Sequence, residues 1–248
     1  MKSLGLIGFG QFGQLAARLL KPHFDVLVTD AAPGAKADAR QAGVGFGTLA
    51  EAAARDYVVV AVPVSAMQAI FTAIVPHLKP GALVADVGSV KMLPSQWMAE
   101  ILPPHVDVIA THPLFGPQSA RNGLTGLRFV ICPIRGDRHE RVAAFGRSLG
   151  LTVTVTTAEE HDREMAYVQA LTHLIGRALV NLGIPDEDLK TVSYQHLLEL
   201  CALIGADTFE LFTAIQTQNP FAAEIAHAFV DEARSLLDQV GAAKPKTA

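Results

Sequence analysis

The chain has 248 residues, of which 50% are hydrophobic and 18% charged, with a formal net charge of −4. Such a composition supports a sizeable core and excludes a disordered chain. The small acidic balance without a basic block excludes an obvious nucleic-acid surface, and no apolar run reaches membrane-spanning length. Cys132 and Cys201 lie far apart with no metal-ligand spacing, so two reduced, buried thiols and no metal are expected. The chain passes into a strand pattern at residue 4 with no secretion-leader pattern, so a cytoplasmic protein is expected.

Residues 1–155 alternate short apolar runs with amphipathic stretches. Strands are predicted at 4–7, 25–30, 57–62, 83–86, 108–111, 129–132 and 152–155, most of them near-continuous apolar runs. Such runs are expected of parallel strands covered on both faces. Helices are predicted at 11–20, 65–77, 95–101 and 138–149. This alternation predicts an α/β domain with a doubly wound sheet over residues 1–155.

The pattern then changes. Thr157 and Glu160 form a capping box that opens a long helix, which Gly183 and Pro185 stop near residue 181. Further helices are predicted at 187–204, 207–218 and 221–239. Residues 156–240 therefore read as a smaller, all-helical domain. It is so apolar that it is expected to pack on a second subunit as a homodimer. Residues 241–248 read as a tail.

The first strand runs into Gly8-Phe9-Gly10-Gln11-Phe12-Gly13 and then into a helix. Strand, G-x-G-x-x-G and helix together are the dinucleotide-binding fingerprint of a Rossmann-type domain. Gly8 allows the tight turn, Gly10 admits the pyrophosphate, and Gly13 lets helix and strand approach. Asp30 ends the second strand, where a carboxylate accepts from ribose hydroxyls and repels a 2′-phosphate. NAD is therefore expected in preference to NADP; the nearest cations, Lys36 and Arg40, do not follow Asp30 directly. Val62 and Pro63 end the third predicted strand beside the nicotinamide end of the cofactor, and Ser65 is a good N-cap for the next helix.

Ser89 follows the fourth predicted strand and His112 the fifth. Ligands of open α/β sheets bind beyond the carboxyl ends of the strands, so both residues face the crevice of the glycine loop. An imidazole there is suited to accept the proton of an alcohol under oxidation, and Ser89 to hydrogen-bond the imidazole or that hydroxyl. Asp162, Gln169 and His173 are spaced by seven and four, which places them on one face of the long helix.

These residues lie within longer matching runs. Gly88-Ser89-Val90-Lys91, Thr111-His112-Pro113-Leu114-Phe115-Gly116-Pro117, Glu160-His161-Asp162 and Gln169-Ala170-Leu171-Thr172-His173 follow the glycine motif in order. In these runs the chain resembles the prephenate/arogenate dehydrogenase family of tyrosine biosynthesis. The resemblance implies that NAD(P) takes hydride from the ring carbon bearing the hydroxyl, and that the ring carboxylate leaves as carbon dioxide. It implies His112 as proton acceptor, Ser89 as its orienting partner, and Gln169 and His173 as substrate-lining residues; by their position alone, His161 and Asp162 read as supports of the helix start. The chain departs from many family members at Ala214, where they carry a carboxylate-binding Arg. Lys91, Arg121 and Arg177 are the candidate cations in its place, with Gln118 and Asn122 as neutral helpers. Prephenate and arogenate differ only in a keto or amino side chain, and no residue separates them. Two other functions compete. Another NAD(P)-dependent dehydrogenase of a small carboxylic acid would need a helical Lys, but Arg163 and Arg177 are the cations of that helix. A non-catalytic NAD-binding regulatory protein would have no need of Ser89 and His112.

Overall fold

The structure is a computed structural model that describes residues 1–242. The chain divides into two compact units, Met1–His161 and a second from Asp162 onward.

The first unit is built on one sheet with strand order β3-β2-β1-β4-β5-β6-β7-β8. Its strands are β1 (Lys2–Ile7), β2 (Phe24–Thr29), β3 (Gly45–Phe46), β4 (Tyr57–Val60), β5 (Leu83–Asp86), β6 (Asp107–Pro113), β7 (Arg128–Arg135) and β8 (Thr152–Val155). The first six run parallel, β7 pairs antiparallel with β6, and β8 runs parallel to β7. The turn-round at β7 departs from the all-parallel pattern expected of such apolar runs. An antiparallel neighbour needs no helical crossover, and the link from β6 to β7 contains only the 3-10 turn Ser119–Asn122.

Alternate strand residues feed opposite layers, as a period of two requires. Val58 and Val60 pack with Met67, Phe71 and Ile74 of α4 (Val64–Ile74) and Met98 of α5 (Met92–Ile101). Ala52 and Ala53 at the end of α3 (Leu49–Ala53) join the same layer. On the other face Leu4, Leu6, Val26 and Val28 meet Ala16 and Ala17 of α1 (Gln11–Leu20) and Ala39 of α2 (Ala35–Ala42). Ala143 of α6 (His139–Ser148) packs there too, on Leu83, Ala85, Ile109 and Ile131. The order reverses between β1 and β4, so the carboxyl ends of β1, β4, β5 and β6 border one crevice.

Three short elements, α2, β3 and α3, escape the sequence pattern. The first is too polar and the second too short, but α3 carries a readable signal. Thr48 accepts from the Glu51 N–H at 3.2 Å and Glu51 accepts from the Thr48 N–H at 2.7 Å, a complete capping box. Ser65, expected as an N-cap, lies one residue inside α4, whose cap is Pro63.

The chain passes into α7 (Ala158–Met165), whose start is the expected capping box. Glu160 N–H donates to Thr157 Oγ1 at 3.1 Å, and Thr157 N–H to Glu160 Oε2 at 3.2 Å.

In the second unit the predicted long helix is not uniform. A π-helical stretch, Ala166–Leu171, separates α7 from α8 (Thr172–Leu182). Its wider turn alters the phase between Asp162 and His173, although Asp162, Ala166, Ala170 and His173 all remain buried. Next come α9 (Val192–Gly205), α10 (Phe209–Gln218) and α11 (Ala222–Ala242). Helix α9 starts five residues later than predicted because Thr191 caps it, and Thr208 likewise sets the start of α10. Close packing of α8 on α9 depends on Gly176, where a Cβ would come within 2.7 Å of Ile204. Cys201 on α9 is half-buried rather than buried. The unit leaves much apolar surface outside. Phe229, Val230, Leu236, Leu237 and Val240 of α11 are exposed, with Leu182, Leu189 and Phe209. Gly241 and Ala242 of the expected tail close α11, and 243–248 lie outside the described residues. No helix among the described residues is long and apolar enough to cross a membrane.

Phe71 has no exposed surface and fills the layer beneath β4. Phe71→Ala is expected to destabilise the first unit by about 3–5 kcal/mol through lost burial and the cavity left behind. Urea unfolding of wild type and variant measures this.

Candidate active site

The crevice is lined first by the glycine loop. Gly8 has φ 103°, and a Cβ there would lie 2.4 Å from the Ala61 carbonyl oxygen after β4. A Cβ on Gly13 would sit 2.2 Å from the Gly8 carbonyl oxygen. Both positions are closed to a side chain by the protein's own backbone. Gly10 differs: a Cβ there would meet nothing within 4 Å. The backbone at Gly10 therefore borders open space. It is also the N-cap of α1 and offers no side-chain acceptor to the first-turn N–H groups of that helix. Those N–H groups and the helix dipole suit an anionic pyrophosphate, so the loop fits a dinucleotide. Phe9, Gln11 and Phe12 complete the loop, and the Phe12 ring lies 6.4 Å from that of Phe115.

Asp30 locks this loop. One carboxylate oxygen accepts from the Phe9 N–H at 2.5 Å and the other from the Ala32 N–H at 2.6 Å. The same side chain thus caps its own turn and pins the second residue of the motif. A carboxylate oxygen has a further lone pair, so a ribose hydroxyl can still donate to it. Val62 and Pro63 follow Ala61, the residue against which Gly8 packs.

The chemical end rests on a buried network. Asp86 ends β5 and has no exposed surface; Lys91 has none either. Lys91 Nζ pairs with Asp86 Oδ2 and donates to the Thr111 carbonyl at 2.6 Å. Asp86 Oδ2 also accepts from the Gly88 N–H at 2.8 Å, and Oδ1 from the Thr111 N–H at 3.1 Å. The Thr111 hydroxyl donates to the Asp86 carbonyl. Lys91 is therefore no surface cation for a substrate carboxylate. It is committed inside, because the nearby Asp86 would otherwise be buried as a bare charge.

This network holds the residues on either side of it. Gly88 and Lys91 flank half-buried Ser89. Thr111 precedes His112, which lies within β6 rather than beyond it, paired in register with Val130. His112 is 4% exposed, and its Nδ1 lies 2.8 Å from Nε2 of His161, itself 2% exposed. The two rings are nearly edge to face, with centroids 5.1 Å apart. Sequence spacing gave His161 only a supporting place at the helix start. Forty-nine residues separate the two histidines, and no local pattern signals the contact. The Asp86–Lys91 pair did leave a signal, since an acidic residue closing an apolar strand needs a nearby cation.

The other expected site residues are placed as follows. Gln118, Arg121 and Asn122 are exposed on or beside the 3-10 turn, away from the buried pair of histidines. In the second unit, Gln169 lies in the π-helical stretch and His173 at the start of α8. Gln169 Oε1 and His173 Nδ1 are buried with no hydrogen-bond partner among the described residues. Asp207 stands 3.8 Å from His173 Nδ1. Burial lowers the His173 pKa, partly offset by Asp207, and burial raises that of Asp207. Arg177 spends one Nη on the Ile204 and Asp207 carbonyls, at 3.3 and 2.8 Å, so it braces the end of α9. Ala214 on α10 is buried. Asn219 donates to the Asp162 carbonyl at 2.7 Å. No group of three or more His, Cys, Asp or Glu among the described residues could hold a metal ion.

Comparison with known proteins decides the family. A family model described as the prephenate dehydrogenase nucleotide-binding domain matches residues 15–155, and one described as the prephenate dehydrogenase dimerization domain matches residues 157–242. The chain belongs to the prephenate dehydrogenase family. It is similar to chloroplastic arogenate dehydrogenase 2 of Arabidopsis thaliana, with 31% identity over 89% of this chain and 65% of the relative. A probable arogenate/prephenate dehydrogenase of Methanocaldococcus jannaschii is 30% identical over 94% of this chain and 55% of its own length. The chain thus spans less than two thirds of these curated relatives. Among solved structures, the prephenate dehydrogenase of Aquifex aeolicus superposes with a TM-score of 0.77 at 20% identity, covering 97% of this chain and 92% of that one. Synechocystis arogenate dehydrogenase superposes at 0.69 and 19%, covering 96% and 92%. These two share the fold.

The Asp86–Lys91 pair sets a clear expectation for this family member. Lys91→Met, which strands the buried Asp86 carboxylate, is expected to cost about 3–5 kcal/mol. Asp86→Leu combined with Lys91→Met is expected to recover a large part of that loss, as read from urea midpoints.

Proposed function

We propose that this protein oxidises and decarboxylates prephenate or arogenate, giving 4-hydroxyphenylpyruvate or tyrosine. The observation that carries the reading is His112, a buried imidazole held in β6 at the same sheet edge as the glycine loop. NAD, when bound, supplies the hydride acceptor. The protein's own part is to hold the ring hydroxyl against His112, take its proton, and keep water from the site. Loss of carbon dioxide makes the ring aromatic, which supplies driving force, so positioning and one proton transfer are what the residues must provide.

His112 accepts the hydroxyl proton at Nε2, the nitrogen not used toward His161. Ser89, carried on the Asp86–Lys91 frame, orients the hydroxyl and the imidazole. Residues 8–13, Val62 and Pro63 receive the dinucleotide, and Asp30 favours NAD over NADP by repelling a 2′-phosphate. Gln169 and His173 line the substrate side chain, a reading supported by buried Gln169 Oε1 and His173 Nδ1, which have no hydrogen-bond partner among the described residues. Gln118 is a further contact for the substrate. The exposed apolar face of α11, in a region matching a dimerization domain, supports a homodimer.

Prephenate and arogenate, each with NAD, are the substrates to try, with NADH absorbance as the readout. Turnover of at least one is expected, faster with NAD than with NADP at equal subsaturating concentration. His112→Asn is expected to lower kcat by about 100-fold or more, the usual contribution of a general base, with NAD affinity retained. Silence with both substrates from folded, NAD-binding protein overturns the proposal.

A further inference from the structure

His112 and His161 face each other through Nδ1 and Nε2 at 2.8 Å, and both residues are more than nine-tenths buried. Two ring nitrogens at that distance hold one proton between them, since two lone pairs or two N–H groups would repel. Two neutral arrangements meet this condition. In the first, His161 donates from Nε2, so the single proton of His112 must sit on its own Nε2. That tautomer cannot accept a proton there. In the second, His112 donates from Nδ1, and its lone pair falls on Nε2.

We infer that His161 is a positioning residue that holds His112 in the second tautomer, with the proton on Nδ1 and the basic lone pair on Nε2. The inference rests on the reading of His112 as the base. During the reaction the substrate O–H bond breaks and an Nε2–H bond forms, while the hydride passes to the nicotinamide cofactor. The imidazolium so formed still donates from Nδ1 to His161, and the bond strengthens because its donor is now charged. A neutral acceptor suits this task. A carboxylate in the same place would favour the charged form of His112 before substrate arrives, whereas a second imidazole orients the ring without adding a full negative charge.

The test uses the full chain with NAD and whichever of prephenate or arogenate it turns over. His161→Leu removes the acceptor. His161→Gln keeps one, because a Gln side chain reaches about as far as Nε2 and its Oε1 accepts. The Leu variant is expected to lose on the order of 10- to 100-fold in kcat, with substrate KM and NAD affinity changed by less than about twofold, and the Gln variant to stay within about threefold of wild type. Long-range ¹H–¹⁵N spectra of wild type labelled at histidine, with the His112 signals assigned by their loss in His112→Asn, should show Nδ1 protonated and Nε2 bare near neutral pH. A Leu variant with unchanged kcat, equal losses in the Leu and Gln variants, or a His112 proton on Nε2 in wild type each overturns the inference. If wild type turns over neither substrate, the proposed function fails and the tautomer seen in the spectra alone decides the role of His161.

Discussion

The buried ion pair between Asp86 and Lys91 is the interaction on which the chemical end of the first unit depends. Each charge taken out of water costs several kcal/mol, and mutual attraction offsets this only when the remaining hydrogen-bonding capacity is also met. Here it is met by groups that matter. The Gly88 N–H, the Thr111 N–H and the Thr111 carbonyl are backbone of the two segments that carry Ser89 and His112. A pair of apolar residues could fill the same volume, but it would not tie the end of β5 to β6 by directional bonds. The cost of burying two charges is exchanged for a fixed distance between two functional strand ends.

The cofactor end uses the opposite device. There the protein leaves side chains out: Gly8 and Gly13 because backbone lies where a Cβ would go, Gly10 because the space beyond is left open. One charged side chain, Asp30, then braces the loop from the next strand. Both ends of the crevice are thus set by backbone held from neighbouring strands, which is a rigid kind of placement. The His112–His161 contact extends the principle to a side chain. A strand residue with both neighbours in register is paired with a residue from the first turns of a capped helix, so neither ring is free to drift.

The second unit is organised differently. Its helices start where Thr191 and Thr208 cap them and cross closely where Gly176 permits. Yet its core is thin, with Ala170, Ile215 and Ala222 at its centre and Leu211 beside them. Buried polar atoms on Gln169 and His173 have no hydrogen-bond partner among the described residues, and α11 keeps a broad exposed apolar face.

The sequence by itself determined most of the elements of the first unit. Apolar runs of four to eight residues, the G-x-G-x-x-G context and Asp30 follow from local periodicity and from steric rules that act within a few residues, so seven of the eight strands and the glycine loop were legible. The capping box at Thr157 was legible for the same reason, and the one at Thr48 was equally present in the chain. Only the tertiary structure decided the antiparallel turn of β7, the π-helical stretch around Gln169, the commitment of Lys91 to the interior, and the meeting of His112 with His161. Each of these depends on residues brought together by packing across strands or turns, where spacing along the chain carries no distance. Charge and tautomer are then set by which neighbour arrives, and folding alone supplies the neighbour.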